Sequence, residues 1–145
     1  MLINLLTGLP VILLCLGLQA ASVTFCLRTY VRFRPYTQAS TAIMPDILLL
    51  LAMMLLLILG NSLQMALWAA VFMLLGEFDS FTTALYFSGV TFATLGYGDL
   101  VLSANWRLLS ALEAANGILM FGVSTAVMTA AVSDVLKHNL RQQQP

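Results

Sequence analysis

The stretch Ser80–Asp99, SFTTALYFSGVTFATLGYGD, sets the structural requirement that the rest of the chain must meet. Its last six residues, Thr94-Leu95-Gly96-Tyr97-Gly98-Asp99, place glycine at alternate positions, which neither a soluble helix nor a strand favours. Because glycine adopts left-handed as well as right-handed dihedral angles, an alternating Gly-Tyr-Gly lets successive carbonyl groups point to one side. A column of such oxygens, with a threonine hydroxyl at its base, can replace the water shell of a dehydrated cation.

The composition indicates a membrane protein. Of the 145 residues, 61% are hydrophobic and 8% are charged, whereas soluble domains carry about a quarter charged residues. The apolar surface is therefore expected to face lipid, in one compact membrane domain. A formal net charge of zero with six basic residues argues against nucleic acid as a partner.

Cys15 and Cys26 lie about 16 Å apart along a helix, so they cannot form a disulfide within the chain.

Three largely apolar stretches are long enough to cross a hydrocarbon core of roughly 30 Å: residues 2–27, 47–75 and 106–136. A signal peptide is a weaker interpretation of the first stretch, because it lacks a positive amino-terminal region. Residues 80–92, with Asp79 or Ser80 as the N-cap, predict a helix that is too short to span and is therefore re-entrant. Such backbone is tolerated at membrane depth only where it is buried in protein or lines a water-filled cavity.

The basic residues predict the orientation. Arg28, Arg32 and Arg34 follow the first stretch, and a second basic group comprising Lys137, His138 and Arg141 follows the last. The positive-inside rule places both groups in the cytoplasm, so we expect the N-terminus outside and the C-terminus inside. That arrangement requires an odd number of spans, in agreement with three. A voltage sensor is disfavoured because these arginines follow an apolar helix and do not recur within one.

Polar residues inside the apolar stretches are expected to contact other helices. The second stretch is interrupted by Asn61, Ser62 and Gln64, for which we expect interhelical hydrogen bonds, with an ion site as the alternative. Glu113 is the one carboxylate well inside the last stretch, and a charge at that depth is functional by default. We expect Glu113 to make a structural contact with the short helix or with Asn116, with proton sensing as the alternative role.

The order of helix, re-entrant helix, glycine-rich loop and helix over residues 45–136 resembles the pore module of the tetrameric potassium channels. The strongest match is TFATLGYGD at Thr91–Asp99, which is similar to the family pattern T-x-x-T-(V/I/L)-G-(Y/F)-G-D. Tyr86 and Phe87 stand where that family has its aromatic cuff. Ala93 and Leu95 depart from the commonest residues, but neither change removes a coordinating oxygen.

The resemblance implies an all-α membrane protein with three transmembrane helices, a re-entrant pore helix and a selectivity-filter loop, assembled as a homotetramer. It implies potassium-selective conduction, without enzymatic activity or a cofactor, in the plasma (inner) membrane. The implied organisation is that of a small prokaryotic-type two-transmembrane pore module with an extra helix. The expected segments are an N-terminal helix (1–27), a basic cytoplasmic loop (28–46), the pore module (47–136) and a short tail (137–145).

Individual positions acquire expected roles through the same resemblance. The potassium ligands are the carbonyl groups, and one hydroxyl group, of Thr94, Leu95, Gly96, Tyr97 and Gly98. Asp99 is expected to support this filter from behind through Tyr86, or else to concentrate cations at the outer mouth together with Glu77 and Asp79. Glu113 is a further supporting residue.

Gly117 and Gly122, in the sequence GILMFG, resemble the glycine-bearing hinge of the family's inner helix.

One face of the last helix is a candidate lining for the cavity below the filter. Its members recur at three- or four-residue spacing: Ile118, Phe121, Thr125 and Thr129. The alternative is a packing stripe against the second helix. For the whole chain, a poorly selective cation channel and a non-conducting modulatory subunit remain alternatives. An enzyme is disfavoured because one histidine and two cysteines provide neither a nucleophile–base pair nor metal-ligand spacing.

Overall fold

The structure, a computed structural model, describes residues 1–38 and 43–142. Within these ranges it contains four helices and no strand: α1 (Leu2–Gln38), α2 (Met44–Leu74), α3 (Phe81–Phe92) and α4 (Arg107–Gln142). The three long helices are long and apolar enough to cross a membrane, and α3 is too short to do so. The expected all-α membrane fold is therefore confirmed.

The first helix ends later than the sequence predicted. α1 continues to Gln38, so the first part of the predicted loop over residues 28–46 is wrong, because residues 28–38 are helical. A charged residue ends an apolar run, but it does not end a helix, and arginine is a good helix former. In the same way α4 continues past residue 136 to Gln142. Residues 39–42 of the predicted loop and 143–145 of the predicted tail lie outside the described residues.

Two apolar clusters hold the helices together. The larger one surrounds the aromatic residues Trp68, Phe72, Phe87 and Phe92 and joins all four helices. Phe72 of α2 and Phe87 of α3 meet edge to face, with ring centroids 5.3 Å apart. The smaller cluster packs Cys26, Met53, Leu57 and Ala131 from the three long helices. Both cysteines are buried free thiols, and they belong to different clusters.

A polar network joins the three long helices between the two clusters. Gln64 Nε2 of α2 donates to Gln19 Oε1 of α1 at 2.7 Å, and Gln19 Nε2 donates to Ser124 Oγ of α4 at 3.1 Å. Asn61 Nδ2 also donates to Ser124 Oγ, at 3.4 Å. The structure therefore confirms the interhelical role expected for Asn61 and Gln64. Ser62 differs, because its hydroxyl donates to the carbonyl of Ile58 in its own helix.

An ionic cluster fixes the end of α1 that carries the arginines. Arg34 is buried, and its guanidinium lies 2.9 Å from Asp46 Oδ1 of α2 and 2.8 Å from Asp134 Oδ2 of α4. Tyr30 donates its hydroxyl to the same Asp134 oxygen at 2.6 Å. At the opposite end of α1, Asn4 Nδ2 donates to the carbonyl of Asn105 at 2.8 Å. Both ends of α1 are therefore bonded to the segment that contains α4.

We expect Arg34→Gln to lower the free energy of unfolding by about 3 kcal/mol, because it leaves the buried carboxylate of Asp46 without its cation. The matched control is Arg32→Gln, two residues away on the exposed side of α1, which should cost less than about 1 kcal/mol. Denaturant unfolding of both variants in micelles measures the difference. Equal losses would contradict the role given to the Arg34 cluster.

Candidate functional site

The short helix α3 fixes the start of the Thr94–Asp99 loop. Ser80 occupies the N-cap position in an extended conformation, but its side chain makes no capping hydrogen bond. At the other end, the amide of Thr94 donates to the carbonyl of Thr91 at 2.9 Å, and the amide of Leu95 donates to that of Val90 at 2.9 Å. The amide of Gly96 also reaches the Val90 carbonyl, at 3.5 Å. The loop therefore leaves α3 with three successive amides turned back towards the helix.

Every second residue of this loop has a positive φ. The values are +58° at Thr94, +56° at Gly96 and +79° at Gly98. The two glycines adopt this region without steric cost, as their spacing predicted. Thr94 is the exception, because a left-handed residue with a Cβ costs roughly 1–2 kcal/mol. This strain at Thr94 could not be expected from the sequence, since threonine rarely adopts a positive φ.

The carbonyl groups of the loop are left without partners. Among the described residues, no hydrogen bond is accepted by the carbonyl oxygens of Thr94, Leu95, Gly96 or Tyr97. The side chains are also uncovered, since Leu95 is 56% exposed and Tyr97 is 66% exposed. A membrane protein cannot leave such groups facing lipid, because each unsatisfied backbone group there costs several kcal/mol. These backbone oxygens are therefore available to bind groups from outside the single chain.

Two carboxylates hold the chain that leaves the loop. Asp99 Oδ2 accepts from the Tyr86 hydroxyl at 2.7 Å, and Asp99 Oδ1 accepts from the amide of Leu100 at 3.0 Å. Glu77 accepts from both the amide and the hydroxyl of Ser103, each at 2.7 Å. The contact expected between Asp99 and Tyr86 is thus present.

The two predicted cuff aromatics point to different environments. Tyr86 is 46% exposed and reaches Asp99, whereas Phe87 is buried. The Phe87 ring packs between those of Phe72 and Phe78, with centroid distances of 5.3 and 5.1 Å. Tyr86 thus hydrogen-bonds the segment that follows the glycines, whereas Phe87 fixes α3 in the apolar core.

Glu113 contacts the short helix, as expected, and its partner is Ser88. Glu113 is fully buried, and its Oε1 is in hydrogen-bond contact with Ser88 Oγ of α3. The same Ser88 oxygen lies 2.8 Å from the carbonyl oxygen of Met65 in α2. Sequence reasoning identified Glu113 but missed Ser88 and Met65. A single serine in an apolar helix gives no sign of which neighbour it faces.

The two predicted hinge glycines differ in their surroundings. A Cβ added to Gly117 would lie 2.0 Å from the carbonyl oxygen of Phe92, the last residue of α3. A Cβ added to Gly122 would meet nothing within 4 Å. Both residues lie inside the continuous helix α4. Gly117 therefore has a packing role, because it lets the backbone of α4 contact the end of α3, whereas hinge motion at either glycine stays a prediction.

The predicted cavity face of α4 is open within one chain. Ile118 is 61% exposed and Phe121 is 38% exposed, and Thr125 and Thr129 are exposed as well. The Phe121 ring meets that of Phe92 edge to face at 5.6 Å. Towards α2, this face borders an open groove of about 510 Å³, so it is not buried against that helix. This face of α4 therefore does not pack against α2, contrary to the alternative considered from the sequence.

Comparison with known proteins gives one match. A protein-family model described as an ion channel matches residues 53–134, which is more than half of the chain. The match begins within α2, includes α3 and the Thr94–Asp99 loop, and ends within α4. Comparisons with curated proteins and with solved structures found no match.

The contact at Gly117 can be tested against Gly122 by the same substitution. Gly117→Ala should lower the free energy of unfolding by about 2 kcal/mol, since the new methyl group forces α4 away from Phe92. Gly122→Ala should leave it unchanged or raise it by up to about 1 kcal/mol, because alanine is the better helix former. Unfolding of both variants in micelles provides the measurement. A Gly117→Ala variant as stable as Gly122→Ala would contradict the backbone contact.

Proposed function

The chain belongs to the ion channel family, and we propose that within this family it is a potassium-selective channel that conducts passively through the Thr94–Gly98 loop. As a channel, it is a multi-pass integral membrane protein and not an enzyme. The observation that carries the proposal is the combination of alternating positive φ values with carbonyl groups that accept no hydrogen bond among the described residues. Oxygens presented in this way can replace the hydration shell of potassium, which sheds its water at lower cost than sodium does.

One chain supplies one strand of the filter, so a ring requires several copies. We propose a homotetramer around a central axis, in which the exposed Leu95 and Tyr97 are covered by neighbouring subunits. The exposed face of α4 at Ile118, Phe121, Thr125 and Thr129 would then line the cavity on the inner side of the filter. The C-terminal end of α3 would face the same cavity. Because a helix C-terminus carries about half a negative charge, four of them favour a cation there.

The roles of the supporting residues follow from their contacts. Asp99 and Tyr86 hold the chain that leaves the filter, and Glu113 holds the pore helix α3 from behind through Ser88. Gly117 provides the contact of α4 with α3 and, together with Gly122, is the proposed position of a bend in the inner helix. The bonded oxygens of Asp99 favour this supporting role over cation concentration at the mouth.

The orientation that we propose places the filter end of the chain outside and the arginine end in the cytoplasm of a cell with a plasma (inner) membrane. Asn4 is bonded to Asn105 near the filter end, and Arg34 is bonded to Asp134 at the opposite end of the long helices. Arg28 and Arg32 are exposed close to Arg34. This distribution of basic residues supports an outside N-terminus and a cytoplasmic C-terminus.

Potassium flux into liposomes that contain only this chain tests the proposal. The wild-type chain should conduct, and Gly96→Ala should reduce the flux at least about tenfold, because a Cβ strains the positive φ of that residue by roughly 1–3 kcal/mol. The matched control is Gly17→Ala, on the exposed face of α1, where a Cβ meets nothing within 4 Å. It should leave the flux unchanged.

The outcomes separate the alternatives. A wild-type chain without flux would contradict conduction and would instead indicate a modulatory subunit. Full flux through Gly96→Ala would contradict the assignment of the filter to Thr94–Gly98.

A further inference from the structure

The hydroxyl of Ser88 lies between two oxygen atoms on different helices. Its Oγ is 2.8 Å from the carbonyl oxygen of Met65 on α2, and it also contacts Glu113 Oε1 on α4. A serine hydroxyl has one proton to donate, and a backbone carbonyl can only accept. If Ser88 donates to Met65, its contact with Glu113 requires a second proton. If Ser88 donates to Glu113, two lone-pair-bearing oxygens face each other at the Met65 carbonyl.

A proton on Glu113 satisfies both contacts. A protonated carboxyl group is a donor, so Glu113 can donate to Ser88 while Ser88 donates to the carbonyl of Met65. An ionised carboxylate accepts only, and it would leave one of the two Ser88 contacts without a proton. The hydrogen-bond count therefore favours the uncharged acid, independently of any argument from burial.

The charges around Glu113 favour the same state. Glu113 is 0% exposed, and it takes no part in the two ion pairs of Arg34 with Asp46 and Asp134. α3 carries no charged residue; its titratable residue, Tyr86, is bonded to Asp99. The one charged residue of α2, Asp46, is bonded to Arg34. A buried carboxylate with no cation beside it is costly, whereas the neutral acid is not.

The remaining two helices do not supply a cation either. From α1 the titratable neighbour of Glu113 is the buried thiol of Cys15, which lies close to Trp68 and Asn116. On α4 itself the nearest basic residue is Arg107, about two turns away in the helix. Arg107 is exposed and lines a cavity of about 380 Å³ beside the filter, together with Gly96 and Gly98.

We propose that Glu113 is an uncharged hydrogen-bond donor that positions α3, through a directed chain of hydrogen bonds from Glu113 to Ser88 and from Ser88 to the Met65 carbonyl. The chain joins α4, α3 and α2. Ser88 lies one helical turn before Phe92, where α3 ends and the filter begins. Glu113 is thus a positioning residue that acts on the filter through α3. Its effect on conduction rests on the proposed function, whereas its protonation does not.

Infrared spectroscopy tests the proton directly. The wild-type protein in lipid membranes at neutral pH should show the C=O stretching band of a protonated carboxylic acid, and Glu113→Gln should abolish that band. The control variant is Glu77→Gln, because both Glu77 oxygens already accept hydrogen bonds from Ser103. It should leave the band in place. A wild-type protein without the band, or a Glu113→Gln variant that retains it, overturns the proposal.

Flux measurements test the positioning role. Glu113→Gln should keep potassium flux within about twofold of the wild type, because its amide N–H can still donate to Ser88. Glu113→Met, which has similar size and no donor, and Ser88→Ala should each lower the flux at least tenfold, normalised to assembled protein. A tenfold loss of potassium flux in Glu113→Gln would overturn the positioning role. Full flux in both Glu113→Met and Ser88→Ala would overturn it as well. If the wild type itself conducts no potassium, the proposed function fails, while the infrared band still decides the protonation of Glu113.

Discussion

The structure depends on the direct backbone contact between α4 and the end of α3. Gly117 is the residue that permits it, since any Cβ there would overlap the carbonyl of Phe92. The contact fixes the point at which α3 gives way to the Thr94–Asp99 loop. Ser88 and Glu113 join the same two helices one turn further from the loop, and the ring of Phe121, one turn after Gly117 on α4, meets that of Phe92 edge to face. The loop contains three residues with positive φ, and it can keep a single conformation only if these contacts between α3 and α4 fix its first residue.

The extra helix α1 is an integral part of the fold, because it is bonded to the α4 segment at three depths. Asn4 reaches Asn105 at one end, Gln19 reaches Ser124 in the middle and Arg34 reaches Asp134 at the other end. Between these polar contacts, Cys15 and Cys26 pack into the two apolar clusters. These contacts cover one side of α4 and leave Ile118 and Thr125 of that helix exposed.

Much of this arrangement could be predicted from the sequence, because it is encoded locally. Hydropathy and length predicted three spans and a short fourth helix, and the alternating glycines predicted the positive φ values at Gly96 and Gly98. The predicted end of α1 was wrong. The end of an apolar run marks the edge of the membrane hydrocarbon, and a helix can continue beyond that edge. Ser88, Met65 and the packing role of Gly117 depend on how distant helices are rotated against each other, which no local pattern specifies.

The reversal potential measures whether the Thr94–Gly98 loop selects potassium, as proposed. The purified chain would be reconstituted with potassium on one side of the membrane and sodium at equal concentration on the other. A selective filter displaces the reversal potential towards the potassium equilibrium potential, by about 59 mV for each tenfold preference. For a potassium-selective Thr94–Gly98 filter we expect a displacement larger than about 59 mV. Conduction with a reversal potential near zero would contradict it and would indicate a poorly selective cation channel.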